Sequence, residues 1–172
     1  MFDILRTIRR NGLLDRDLPE PEPEAGAAPL DQLQRQLQTV FGRALRIRQV
    51  DAGSCNGCEL EIQALSNPYY NLEGSGIAFV ASPRHADVLL VTGPVSVNME
   101  QALRRTYAAM PEPKWVLATG DCAACGGVFG TSYATRGPVS SIIPVDAVVT
   151  GCPPTPLAIM QGLLRITAKR PA

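Results

Sequence analysis

Five cysteines carry most of the chemical reactivity of this sequence, and they fall into three short motifs. Cys55 and Cys58 form a Cys-x-x-Cys pair, Cys122 and Cys125 form a second pair, and Cys152 precedes two prolines. Thiolates are the ligands that zinc and iron-sulfur clusters prefer in proteins. Glycines accompany all three motifs and allow the backbone to approach a bound group closely. The residue types and their spacing therefore predict a metal or cluster site.

Each motif closely follows a short apolar run that is typical of a buried strand. Such runs cover residues 45–50, 77–80, 88–92, 115–118 and 147–150. Segments with a helical pattern lie between and after them, at residues 59–66, 97–109 and 156–168. Nearly continuous apolar strands that alternate with helices indicate an α/β fold with a doubly wound, mainly parallel sheet, similar to flavodoxin, and with helices on both faces.

The carboxyl ends of parallel strands lie along one edge of the sheet, where such folds bind their ligands. Four thiolates, those of Cys55, Cys58, Cys122 and Cys152, can supply the tetrahedral ligand set of one 4Fe-4S cluster at this edge. A zinc site on the two Cys-x-x-Cys pairs is the main alternative, but it leaves Cys152 unused. A redox dithiol at Cys55 and Cys58, or thiols that are merely buried, accounts for the three motifs less completely.

The bulk composition makes several functions poor candidates. A chain of 172 residues with 45% hydrophobic residues suits one globular domain. Lys and Arg together number 16, and so do Asp and Glu, so no net cationic field favours nucleic acid. An odd number of cysteines and the absence of an apolar export segment argue against a disulfide framework. We expect cytosolic thiols and no membrane-spanning helix.

The first 30 residues differ in composition from the rest. Residues 1–16 predict a short amphipathic, basic segment, and Arg9-Arg10 is followed by residues too charged to act as an export signal. Residues 17–30 are rich in proline and acidic side chains and predict a linker. Residues 31–172 are predicted to form the cluster-binding domain, starting with a helix that Asp31 can cap.

Glu59 directly follows the second cysteine and could relay protons beside a cluster. The more ordinary explanation is that Glu59 and Glu61 lie in the first turn of a helix, where the helix dipole favours carboxylates. His85, the only histidine, is predicted to be a loop residue rather than a ligand. No nucleophile with a base and no phosphate-binding loop is recognisable, so the chain is expected to have no active site of its own.

Several motifs together resemble the small subunit of energy-converting, membrane-bound nickel-iron hydrogenases of the formate hydrogenlyase and hydrogenase-4 type. The motifs are DAGSCNGCE at 51–59, SPRHAD at 82–87, TGPV at 92–95, GDC with GG at 120–127 and GCPP at 151–154. The resemblance extends over about residues 44–166, and the fold is shared with the complex I 20 kDa subunit. That subunit has adjacent cysteines at the first motif, whereas Asn56 and Gly57 separate them here, which favours the hydrogenase branch.

The resemblance implies a subunit that carries one 4Fe-4S cluster on Cys55, Cys58, Cys122 and Cys152. Its implied partners are a catalytic large subunit of nickel-iron hydrogenase or complex I type, a ferredoxin-like iron-sulfur subunit and membrane-arm subunits. The implied location is the cytoplasmic face of the membrane, without insertion. Cys125 lies outside the family motif and is expected to be a spare buried thiol.

Two alternatives remain at this point. The partner could lack nickel and reduce a quinone or another acceptor, as in complex I. The chain could instead be a zinc-stabilised structural adaptor without a redox role.

Overall fold

The computed structural model of the protein describes Arg35 and residues 44–168. The predicted amphipathic segment at 1–16, the linker at 17–30 and all but Arg35 of the helix predicted after Asp31 lie outside the described residues. Arg35 itself is helical and exposed. The strands and helices discussed below all belong to residues 44–168.

A single five-stranded sheet organises the domain. Its strands are β1 (Leu45–Asp51), β2 (Ile77–Phe79), β3 (Val88–Thr92), β4 (Trp115–Thr119) and β5 (Ala147–Val149). The strand order is β2-β1-β3-β4-β5, and every neighbouring pair is parallel. This order is that of flavodoxin-like folds, and it confirms the predicted doubly wound sheet. All five strands fall where the apolar runs predicted them, within one or two residues.

Four α-helices connect or follow these strands. They are α1 (Gly57–Ala64), α2 (Val97–Ala109), α3 (Asp121–Cys125) and α4 (Pro156–Ala168). Helices α2 and α4 have the predicted bounds, and α1 begins two residues earlier than predicted. Helix α3 was not predicted, because five residues are too few to show a helical period. Two single 3₁₀ turns, Pro83–His85 and Val139–Ser141, complete the connections.

Apolar side chains cover the sheet on both faces. On one face, Ile62 of α1 and Leu163 of α4 pack with residues of β1 such as Ile47. On the other face, Leu103 of α2 and Ala123 of α3 pack with a second buried cluster. The predicted placement of helices on both faces is therefore confirmed, and β3 and β4 are continuous apolar runs because they are buried on both faces.

The strand order reverses next to β1, so the topological switch point lies between β1 and β3. The chain passes from β1 to β2 on one side and then crosses to β3 on the other side. Crevices at the carboxyl edge of such switch points bind ligands in open α/β sheets. No helix among the described residues is both long enough and apolar enough to cross a bilayer.

Candidate metal centre

The loop after β1 is shaped by the last residue of that strand. Asp51 Oδ1 accepts hydrogen bonds from the backbone N–H groups of Gly53 and Ser54 at 2.8 and 2.7 Å. Asn56 then adopts a left-handed conformation with φ of 72°, and α1 begins at the next residue. This turn places Cys55 before the helix and its Cys-x-x-Cys partner in the first helical turn. The Asp-x-Gly-Ser sequence is a turn signal that could have indicated this role of Asp51.

The loops after β4 and β5 are held together by one aspartate. Asp121 Oδ1 accepts from the Gly151 N–H at 2.7 Å, and the Asp121 N–H donates to the Gly151 carbonyl at 2.9 Å. Cys122 follows Asp121 and Cys152 follows Gly151 along the chain. This reciprocal pair therefore fixes the positions of two cysteines that are 30 residues apart.

The three loops enclose a small cavity of about 70 Å³ at the carboxyl edge of the sheet. Its lining consists of Ser54, Cys55, Gly57, Cys58, Gly93, Asp121, Cys122, Gly151, Cys152 and Pro153. The structure thus brings together the four cysteines that the sequence singled out. Cys125 is not among the lining residues. Within the described residues, no three His, Cys, Asp or Glu side chains are arranged to hold a single metal ion.

Two glycines leave space that the cavity thiols occupy. A Cβ on Gly120 would lie 2.6 Å from Cys58 Sγ, and one on Gly127 would lie 2.7 Å from Cys122 Sγ. Both glycines also have positive φ angles, of 89° and 53°, which side chains rarely adopt. Any larger residue would displace a thiol, so the donor set and its surroundings fit a group bound through sulfur.

The cavity thiols influence one another electrostatically. Burial raises the pKa of Cys58 to about 12, with further contributions from Glu59 and from the other three cavity cysteines. Burial also raises the pKa of Cys122, followed by the effects of Cys152 and Cys55. Thiolates crowded into a partly dry cavity repel one another, and a bound metal relieves this by holding the thiols deprotonated. The site is therefore suited to a cationic centre.

Glu59 is buried beneath the cavity instead of lying on the helix surface. Only 6% of it is exposed, and its Oε1 accepts a hydrogen bond from Thr92 Oγ1. Its Oε2 is buried without a partner among the described residues, and so is Thr119 Oγ1 on the neighbouring strand. Thr92 and Thr119 are paired in register on β3 and β4. The sequence pattern did not show the contact between Thr92 and Glu59, because it joins two residues that are 33 positions apart in the chain.

Two other predicted positions can be compared with the structure. Cys125 is exposed, and its Sγ donates to the Asp121 carbonyl at 3.2 Å, so the expectation of a buried thiol is wrong. The short helix α3 ends there, and Gly126 turns the chain away with a φ of 92° before the thiol can be covered. His85 is exposed in its 3₁₀ turn, as expected of a loop residue.

A parallel α/β domain whose strand-end loops bring four thiols into one cavity defines a class of proteins suited to bind a group through sulfur at the carboxyl edge of the sheet. The profile of the family "NADH ubiquinone oxidoreductase, 20 Kd subunit" matches residues 55–166. The chain therefore belongs to the family of the complex I 20 kDa subunit. This result confirms the resemblance inferred from the sequence motifs.

Curated relatives place the chain near the hydrogenase members of this family. It is 46% identical over 129 residues to the "Probable membrane-bound hydrogenase subunit mbhJ" of Pyrococcus furiosus, covering 75% of this chain and 77% of that protein. It is 39% identical over 142 residues to "Formate hydrogenlyase subunit 7" of Escherichia coli. That second match covers 83% of this chain but 56% of the longer relative.

A solved structure with a similar chain belongs to the membrane-bound sulfane sulfur reductase, described as an archaeal respiratory membrane complex. The two chains share 33% sequence identity with a TM-score of 0.64, covering 83% of this chain and 75% of that one. The homologues are thus subunits of oxidoreductase complexes, and this chain is an oxidoreductase subunit of the same kind.

Proposed function

We propose that this chain is an electron-transfer subunit that carries one 4Fe-4S cluster on Cys55, Cys58, Cys122 and Cys152. The observation that carries the proposal is the cavity in which these four thiols, and no other cysteine of the described chain, line one space. Four thiolates are the ordinary ligand set of a 4Fe-4S cluster. Such a cluster supplies one-electron redox chemistry, with a potential that depends on its charge, hydrogen bonds and exposure.

The protein's own residues have separable roles in this proposal. The cavity thiols bind after losing their protons, so binding is coupled to proton release. Asp121 and Gly151 hold the loops of Cys122 and Cys152 at a fixed separation. Gly120 allows its loop to pass close to the Cys58 sulfur. Partners that orient ligands in this way commonly change metal affinity about 10–100-fold when they are altered.

The partners follow from the relatives and their complexes. We propose that the electrons pass between a ferredoxin-like iron-sulfur subunit and a catalytic large subunit of nickel-iron hydrogenase type, within a complex that includes membrane-arm subunits. The similarity to a membrane-bound hydrogenase subunit and a formate hydrogenlyase subunit supports this assignment. The subunit would be bound peripherally at the cytoplasmic face of the membrane, through its partners.

A second candidate function is a complex-I-like module whose large subunit lacks nickel and reduces a quinone or another acceptor. The similarity to a chain of the sulfane sulfur reductase favours keeping this alternative, because that complex is named for a different acceptor. The residues that distinguish the two functions belong to the large subunit. Identification of nickel-binding cysteine pairs in that subunit would favour the hydrogenase, and their absence the alternative.

Anaerobic reconstitution of the full chain tests the cluster directly. We expect four irons and four acid-labile sulfides per chain, with a paramagnetic signal that appears on one-electron reduction. Electron paramagnetic resonance and metal analysis are the measurements. Stoichiometric zinc without acid-labile sulfide would instead establish the structural adaptor.

A further inference from the structure

A second opening lies on the outer side of β1, beyond the end of β2 and away from the cavity thiols. This groove has a volume of about 430 Å³. It is lined by Arg48, Gln49, Asp51, Phe79, Val80 and Ala81. None of these six residues lines the thiol cavity. The groove is therefore a separate feature, shaped by the unequal lengths of two neighbouring strands.

The backbone of β1 is open along this groove. Strand β2 pairs with β1 only as far as Ile47, while β1 continues to Asp51 against β3. The Leu45 N–H and the Ile47 carbonyl bond on the β2 side. Because alternate residues of a strand direct their backbone groups to the same side, those of Gln49 point into the groove. No described residue bonds them there.

Arg48 contributes an unpaired charge to the same groove. Its side chain is half-buried, its Nε atom is fully buried, and that atom has no hydrogen-bond partner among the described residues. A buried donor without an acceptor costs about 1–3 kcal/mol, and more when the group is charged. The nearby carboxylate of Asp51 is already occupied at Oδ1 by two backbone N–H groups. Among the described residues, the Arg48 Nε–H therefore has no acceptor.

The surroundings of the groove add further positive charge. The chain leaves the groove at Ala81 and enters the 3₁₀ turn that contains Arg84, which is exposed. Arg46, two residues before Arg48 on the same face of β1, is exposed as well. Asp51 is the one acidic residue that lines the groove. A negatively charged occupant suits this arrangement better than a neutral one.

We propose that the groove binds an extended segment of a partner subunit that carries an aspartate or glutamate. The carboxylate would accept hydrogen bonds from Arg48, since a guanidinium matches a carboxylate in planar, bidentate geometry. The segment's backbone would pair with Gln49 and so continue the sheet where β2 stops. This inference rests on the proposed assembly into a multisubunit complex, but it does not depend on which group the cysteines bind.

Site-specific photo-cross-linking in the assembled complex tests the proposal. A benzoylphenylalanine is placed at Ala81, and the cross-linked peptide is identified by mass spectrometry. We expect an acidic, extended segment of a partner subunit. Arg48→Gln should lower the yield by about tenfold or more, the loss typical of a broken buried charge pair. Arg105→Gln, an exposed arginine on α2 used as the control, should leave the yield unchanged.

Two further measurements make the outcome decisive. The isolated Arg48→Gln chain should unfold at the same temperature as the wild type or higher, and it should bind the same amount of iron. Once the partner's carboxylate is located, its exchange for lysine together with Arg48→Glu should restore cross-linking. Cross-links confined to residues 1–43 of this chain, or a yield that is indifferent to Arg48→Gln, would overturn the groove proposal while leaving the cluster proposal intact.

Discussion

At the scale of single residues, the two cysteines of helix α3 have different surroundings. Cys122 and Cys125 are one helical turn apart, yet only Cys122 lines the cavity, while Cys125 is exposed and bonds its own helix. The helix is so short that its two ends lie in different surroundings. Membership of a Cys-x-x-Cys pair is therefore not sufficient to identify a ligand in this chain.

Serine substitutions at two cysteines test the proposed ligand set. Cys152→Ser removes a cavity thiol and should lose most of the reconstituted iron and sulfide, because a hydroxyl is a poor substitute for a thiolate. Cys125→Ser should retain them. Iron and sulfide are quantified after anaerobic reconstitution under identical conditions. The opposite pattern would show that Cys125 is a ligand and Cys152 is not.

Glu59 offers a second test at this scale. Glu59→Gln preserves the size of the side chain and an acceptor for Thr92 while removing the charge. If Glu59 relays protons, turnover by the complex that consumes or releases protons should fall roughly 100-fold, at the lower end of what positioned acid-base groups contribute. The cluster's spectrum should change little, and Glu59→Asp should restore part of the rate.

The control is Glu61→Gln, two residues further along α1 and less deeply buried. It should leave turnover unaffected. Full activity of the Glu59→Gln complex would show that Glu59 does not relay protons. Its role would then be structural, through its hydrogen bond with Thr92 and its position in the first turn of α1.

At the scale of secondary structure, the close approach of the loop after β4 to helix α1 determines where the Cys58 sulfur lies in the cavity. Gly120 ends the connection from β4 and lies against the Cys58 sulfur, so Gly120→Ala should displace that sulfur. Gly76 has a similar φ, of 84°, but open space around it. Gly76→Ala is thus a matched control for the backbone strain of about 1–3 kcal/mol that both changes introduce.

We expect both alanine variants to lower the unfolding temperature, but only Gly120→Ala to lose iron. Thermal unfolding monitored by circular dichroism and iron analysis of the reconstituted proteins provide the comparison. Equal iron contents would mean that the loop can move without affecting the thiols.

The strands and helices were largely predictable from the sequence, and the features that could not be predicted have physical causes. The bounds of α2 and α4 follow from long apolar periods and clear caps, such as Ser96, whose side chain accepts from the Met99 N–H. The four cavity cysteines could be identified because they follow apolar runs. Helix α3 and the exposure of Cys125 could not be predicted, since both depend on a helix of only five residues. The Arg48 groove depends on how early β2 ends, which no local pattern specifies.

At the scale of the whole molecule, one exposed apolar loop stands out beside the cavity. Val128, Phe129 and Tyr133 are 93%, 56% and 99% exposed. Hydrogen bonds from Arg136, and secondarily from Arg104, lower the pKa of Glu100. The bond from Arg136 Nε to Glu100 Oε2, at 2.9 Å, joins the segment after this loop to α2. An apolar patch on a loop fixed in this way is typical of a protein-protein interface.

We expect this loop to bind the large subunit and to cover the cavity. Replacement of Val128, Phe129 and Tyr133 by serine should reduce aggregation of the isolated chain but weaken assembly, since central aromatic contacts commonly contribute at least about 2 kcal/mol. Light scattering and co-purification are the measurements. Tyr69→Ser, a control at an aromatic residue that is also exposed, on the turn before β2, should alter neither. Unchanged assembly of the triple variant would place the interface elsewhere.

The distribution of the cavity thiols along the chain also orders the events of biosynthesis. Cys55 leaves the ribosome while most of the sheet is still unmade, and Cys152 follows roughly 100 residues later. At ordinary elongation rates this delay is about 5–20 s. A group that needs all four thiols can be inserted only after translation of β5, into a nearly complete domain. Its insertion would then distinguish chains translated beyond β5 from shorter ones.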